Sequence, residues 1–192
     1  MSSDYISGLT QTDGSFFCSI ILSSKHLFGL QFRPKFTITA DLDSKYVLDT
    51  IQIYFNCGKV STNLNKHTAE FLVERLEDLK TIIIPHFINY PVFCGKLHAF
   101  YLFREIVTAL GTRSADNRTI EGRREMLKKA LSMNETTNRK EDRIDFLFSL
   151  LGVRSADNKN KVLIPNNISQ GRFAPPITSN FISGAQSAGR RW

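Results

Sequence analysis

The chain has 192 residues, enough for one domain with a sizeable core but short for two. Its 42% hydrophobic and 22% charged content, with 15 Phe and a single Trp, is that of a soluble globular protein built on Phe, Ile and Leu; no apolar run reaches a membrane span and no secretory signal opens the chain. The net charge of +7 favours a polyanionic partner, while Cys18, Cys57 and Cys94 lack zinc or short disulfide spacing and are expected to be buried free thiols in a reducing compartment.

Tyr5–Gly14 reads as a short helix closed by glycine, handing over to a strand at Ser15–Leu22, a run rich in aromatic and β-branched residues. Ser23–His26 is a loop. Leu30–Thr39 then alternates, with Phe32, Pro34, Phe36 and Ile38 on one face and Arg33, Lys35, Thr37 and Thr39 on the other, the pattern of a half-buried strand. Pro34 confines that strand to a place where a missing N–H does no harm. Asp43 is positioned to cap a helix over Ser44–Phe55, whose Val47, Leu48, Ile51, Tyr54 and Phe55 share a face. Asn56-Cys57-Gly58 ends it and starts a hairpin of Lys59–Asn63 and Glu70–Arg75. Leu76, Leu79, Ile82 and Ile83 mark another helix, stopped by Pro85. After the Tyr90-Pro91 loop a long helix runs around Lys96–Leu110. This order predicts an antiparallel sheet with helices on one face, the α+β class.

From Gly111 the character changes. The pattern Leu-Gly-x-Arg-Ser-Ala-Asp-Asn occurs at Leu110–Asn117 and again at Leu151–Asn158, as a recurring helix stop. Between the copies lie two helices, Thr119–Met133 and Arg139–Leu151. Arg123, Arg124, Lys128 and Lys129 alternate with Glu121 and Glu125 and are expected to form a solvated face. No acidic residue follows Asp157, whereas Lys159, Lys161, Arg172, Arg190 and Arg191 do, so the last stretch reads as an extended basic tail. The expected organisation is a core at 1–110, a helical extension at 111–161 and an irregular basic tail at 162–192.

The segment Ile6-Ser7-Gly8-Leu9-Thr10-Gln11-Thr12-Asp13-Gly14 resembles the motif of the LAGLIDADG homing endonucleases in its position, its paired glycines and its final Asp-Gly. Its context carries the likeness further. Asp13-Gly14-Ser15-Phe16 leads into a strand, Lys35–Thr39 stands where a second strand belongs, and Phe55-Asn56-Cys57-Gly58-Lys59-Val60 matches the following helix and turn. Tyr90–Lys96 and Phe100–Phe103 match the closing loop and helix. The resemblance covers about residues 4 to 110 and implies a helix–hairpin–helix–hairpin–helix fold with a saddle-like sheet.

The family pattern implies a homodimer that cuts a long pseudo-palindromic site in double-stranded DNA with Mg²⁺, within an organelle, as a soluble, intron-encoded mitochondrial protein. Ser7, Gly8, Gln11 and Thr12 would then face the partner helix. Asp13 and the Gly14 carbonyl would hold the metal, and Asp13 with Lys96 would be catalytic. Ser15, Phe17, Ser19, Arg33, Lys35, Thr37, Lys59, Ser61 and Asn63 would contact nucleic acid. Hard divalent cations take oxygen ligands, and small residues let two helices meet backbone to backbone. His67, His86 and His98 lack metal-site spacing and read as structural.

Three departures stand out. Thr10-Gln11-Thr12 replaces an apolar and small centre. Ala40 stands where active members place a polar side chain, with Asp41 or Asp43 as possible substitutes. Asn180–Gly189 echoes the motif without an acidic residue, either as the stub of a second motif or, the favoured reading, as small-residue runs do by chance. These leave as rival a non-cutting nucleic-acid binder on the same fold, an intron maturase or a component of an organellar ribonucleoprotein that takes intron or ribosomal RNA.

Overall fold

The Ser2 hydroxyl accepts from the Tyr5 amide and opens helix α1, Ser3–Asp13, which buries Ile6, Ser7 and Thr10. Residues 1–112, 115–133 and 141–152 are described by the computed structural model. The Arg190–Arg191 end, the Asn180–Gly189 echo and the expected tail at 162–192 lie outside them.

At Gly14 the chain turns extended and enters β1, Gly14–Leu22. Strand β2, Leu30–Asp41, follows a turn in which Phe28 and Gly29 are left-handed, with φ of 59° and 71°. Two shorter strands, β3 (Lys59–Asn63) and β4 (Thr68–Val73), complete a fully antiparallel sheet of order β1-β2-β4-β3. Helix α2, Lys45–Phe55, connects the two hairpins. The expected Asp43 cap is not made. A short 3-10 turn at Leu42–Ser44 intervenes, no side chain caps α2, and the Asp43 carboxylate lies 3.5 Å from His67 Nε2 instead. Asn56 (φ 50°) and Gly58 (φ 74°) close the helix, and a Cβ on Gly58 would stand 2.8 Å from the Leu72 carbonyl.

Pro85 does not stop the next helix as expected. The chain runs from α3 (Leu76–Asp78) through a widened π-type stretch, Leu79–Ile83, into α4 (Ile84–Asn89). Proline removes a donor and crowds the carbonyl one turn back, and a π-type stretch just ahead of it absorbs such a defect. Helix α5, Cys94–Gly111, then crosses the sheet, followed by α6 (Ala115–Arg118), α7 (Ile120–Ser132) and α8 (Glu141–Leu150). The two glycines of the repeated octapeptide behave differently: Gly111 is the last residue of α5, whereas Gly152 is left-handed at φ 73°.

One hydrophobic cluster joins these elements. The Phe16 ring lies 5.0–5.4 Å from those of Phe36, Phe87, Phe100 and Phe103, and Met126, Leu127, Ala130, Leu147, Phe148 and Leu151 belong to the same core. The helices after Gly111 therefore share the core of the sheet. Arg123, expected on a solvated face, is only 5% exposed, because α7 turns it inward to the edge of β2. Its neighbours do meet solvent: Arg124 pairs with Glu121, Lys128 with Glu125 and Lys129 with Glu105. The cysteines are free, but only Cys18 is buried; Cys94 is exposed and Cys57 lies between. Among the described residues no helix is long and apolar enough to cross a membrane.

Candidate nucleic-acid interface and carboxylate site

Side chains alternate across a strand, and directly paired residues of antiparallel strands share a face. Phe16, Phe36, Ile38, Phe71 and Val73 are buried, so the opposite face is the open one. The register then fixes its rows: Ser15 beside Thr37, Leu72 and Lys59; Phe17 beside Lys35; Ser19 beside Arg33; Thr39 beside Glu70 and Ser61; Asp41 beside Thr68 and Asn63. All nine residues expected to contact nucleic acid lie on this face. Thr37 is an exception in access, being 5% exposed in the middle of its row.

Two residues of the face escape the sequence pattern. Glu74, just past β4, lies 3.3 Å from the Lys35 ammonium and 3.4 Å from that of Lys59, and these hydrogen bonds hold its carboxyl below the usual range. Glu70 lies between Thr39 and Ser61. Their shared parity with Leu72 is the signal that could have found them, but the apolar residues of β4 dominate its pattern. Ala40 pairs with Ala69 on the core side, so the open face at this end carries Asp41, while Asp43 is engaged with His67.

At the edge of this sheet α1 ends in an exposed carboxylate. Asp13 Oδ2 accepts from the Thr12 hydroxyl at 2.8 Å, and the negative end of the helix dipole lies beneath it. The Lys96 ammonium, from the first turn of α5, donates to the Gly14 carbonyl. Burial lowers the Lys96 pKa, and the Asp13 charge partly opposes that shift. Asp13 and Lys96 are thus brought together. The Gly14 carbonyl, expected to bind metal, carries this ammonium, so a cation using the same oxygen would meet like charge. Asp13 supplies the hard oxygen a divalent ion prefers, but among the described residues no three His, Cys, Asp or Glu side chains converge. One chain therefore fits part of such a site.

The four residues expected at a helix–helix interface divide. Gly8 and Thr12 are exposed with Tyr5, and a Cβ on Gly8 would meet nothing within 4 Å. Ser7 instead faces inward, donating to the Tyr90 carbonyl at 2.7 Å, because α1 leans on α4 there. Gln11 clamps the loop before α5, accepting from the Phe93 amide and donating to its carbonyl.

Behind α1 sits His86, its Nε2 3.5 Å from the Ser7 hydroxyl and its Nδ1 3.3 Å from that of Tyr54, among the rings of Phe55, Phe87 and Tyr90. Burial outweighs the attraction of Asp4 and pushes its pKa down to about 4. Well above pH 6.5 the imidazole is neutral both folded and unfolded, so it imposes no pH dependence there. As pH falls from 6.5 toward 4 the unfolded chain gains a proton that the fold refuses, and stability drops by up to about 3 kcal/mol. Urea unfolding at pH 7 and pH 4.5 should show this loss, and His86→Gln should show markedly less of it. An equal acid loss in both proteins would remove His86 as its source.

The model of the family described as "LAGLIDADG endonuclease" matches residues 6–107. The chain is 30% identical over 135 residues to a Neurospora crassa protein described as probable intron-encoded endonuclease 2, covering 70% of this chain and 29% of that one. It is 33% identical over 107 residues to homing endonuclease I-ApeII of Aeropyrum pernix, covering 55% of this chain and 62% of the relative. It thus spans less than two thirds of either protein. The crystal structure of the I-LtrWI LAGLIDADG homing endonuclease bound to target DNA superimposes with a TM-score of 0.65 at 27% identity, over 72% of this chain and 45% of that chain. With a family match from within α1 to within α5, enclosing the whole sheet, the chain belongs to the LAGLIDADG endonuclease family.

Proposed function

We propose that the chain is a site-specific DNA endonuclease of a mobile intron that acts as a homodimer in an organelle, each copy giving one Asp13 to a shared metal site. The observation that carries this reading is the placement of Asp13. A single exposed carboxylate ends α1 beside Lys96, at the edge of an open sheet face lined by Ser15, Ser19, Arg33, Lys35, Lys59, Ser61 and Asn63. The exposed side of α1, with open space above Gly8, suits close approach of a second such helix around a two-fold axis. The relatives' descriptions as intron-encoded and homing endonucleases support the substrate class.

In this reading the open face lies along double-stranded DNA and reads base edges and phosphates, as strands do in a major groove. Asp13 holds a divalent ion, Mg²⁺ by preference for oxygen ligands and retained waters, which when bound would polarise the scissile phosphodiester and acidify a water. The Thr12 hydroxyl, which lies between the Leu9 carbonyl and Asp13 Oδ2, helps to orient the Asp13 carboxylate. Lys96, partly desolvated and fixed on the Gly14 carbonyl, adds a positive charge next to the charge developing at phosphorus.

Cleavage selection from a plasmid library of random sites in Mg²⁺, with sedimentation of the bound protein, tests the reading. Enrichment of one two-fold-symmetric site, cut by two copies, is expected. Binding of duplex without cutting would replace it with a non-cutting binder. On the selected site, Arg33→Ala should weaken affinity and flatten the log–log salt dependence by about one for each phosphate that Arg33 neutralises. Unaltered affinity at low salt would mean that the face points elsewhere.

A further inference from the structure

Strand β2 pairs with β1 from Leu30 onward, but with β4 only from Phe36, because β4 ends at Val73. The backbone before Phe36 is left without a neighbour on that side. Arg123 fills the gap from α7. Its Nη1 donates to the Leu30 carbonyl at 2.6 Å, Nε to the Asn117 carbonyl and Nη2 to Asn117 Oδ1, both at 3.1 Å, and the guanidinium lies 5.5 Å from the Phe32 ring centre. These bonds use three of its five N–H groups. Among the described residues neither Arg123 nor Arg33 has a carboxylate partner. A buried guanidinium held only by neutral oxygens is a charge waiting for a counter-ion.

Beside it is a cavity of about 450 Å³ lined by Arg123, Arg33, His26, Gln31, Asn117 and Phe32. Among the described residues its one carboxylate, Glu74, is already engaged by Lys35 and Lys59. The lining is therefore cationic, with amide donors from Gln31 and Asn117 and a ring at one wall. It lies on the flank of the open face that carries Gln31 and Arg33.

We propose that this cavity is a phosphate subsite, in which the free N–H groups of Arg123 and the Arg33 guanidinium take the oxygens of a tetrahedral phosphate, a geometry that guanidinium forks match. Two sources share that chemistry: a backbone phosphodiester of bound duplex, which rests on the endonuclease reading, and free inorganic phosphate, which does not.

The test uses the full chain and Gln31→Glu, which puts a carboxylate into the cavity without touching the Arg123 bonds. Thermal unfolding is followed while inorganic phosphate is titrated against sodium chloride of equal ionic strength. The wild type should show a saturable rise in Tm of a few degrees that Gln31→Glu lacks. Arg123→Lys, which keeps the charge but not the fork, should lose it too if it folds. No saturable response in the wild type, or the same response in Gln31→Glu, would overturn the proposal. In the second arm the salt dependence of binding to random-sequence duplex is compared. A slope shallower by about one in Gln31→Glu assigns the site to a backbone phosphate. Equal slopes with the phosphate response intact assign it to a free oxyanion. Should the wild type bind no duplex at all, the endonuclease reading fails and the phosphate arm still decides the subsite.

Discussion

Asp13→Asn is expected to abolish cleavage while leaving duplex affinity equal to the wild type or slightly higher. Asparagine has nearly the same size and can still accept from Thr12, whose hydroxyl now lies 2.8 Å from Oδ2, so the end of α1 should keep its shape. What disappears is the charge that would hold a divalent ion. Metal-derived stabilisation of several kcal/mol corresponds to a rate loss of about 10³-fold or more. Affinity is spared because the sheet face makes the contacts, and losing an anion near a phosphate removes repulsion. Comparing cleavage in Mg²⁺ with gel-shift affinity separates the two effects. Wild-type cutting by the variant would strip Asp13 of its role.

The second large effect is expected from Gly14→Ala. An added Cβ would stand 2.5 Å from Thr10 Cγ2, 2.7 Å from Thr10 Cα and 2.8 Å from the Thr10 carbonyl oxygen. Thr10 is fully buried and two of those atoms are backbone, so no flexible tip can move aside. The last turn of α1 has to shift, at a cost of about 2–4 kcal/mol. For a chain of this size that lowers Tm by roughly 5–15 °C. Gly8→Ala is the contrast. Its Cβ meets nothing, so the isolated chain should keep or slightly gain stability from the better helix former. Loss of self-association in Gly8→Ala, with Tm retained, would locate the contact between copies on that side of α1. A Gly14→Ala protein as stable as the wild type would show that the close approach of Gly14 to Thr10 is absent.

Much of the framework was legible because period and punctuation agree. Alternation in Leu30–Thr39 placed Arg33, Lys35 and Thr37 opposite Phe36 and Ile38, and the Asp13-Gly14 pair marked the helix-to-strand turn. The errors arose where a local rule was overruled by a distant partner. Pro85 was absorbed by a widened turn, Asp43 turned to His67 instead of capping, and Arg123 followed the gap beside β2 into the interior. Ser7 looked like an interface residue because it is small, yet its hydroxyl is bonded to Tyr90 across a span of 83 residues. No window along the chain contains such a contact. Thr37 had the right parity and the wrong access, since burial on a sheet depends on neighbours two strands away.

The pairing of Glu74 with Lys35 and Lys59 bears on the range over which the open face acts. Of the cations in its rows, Lys35 and Lys59 are both paired with Glu74, while Arg33 has no carboxylate partner among the described residues. Around Glu74 the opposite charges stand 3.3 and 3.4 Å apart, and the field of so compact a cluster weakens within the screening length of about 8 Å at physiological salt. Seen from a distance, that cluster carries one net positive charge in place of two, and Arg33 is left as the cation of these rows with the longest reach.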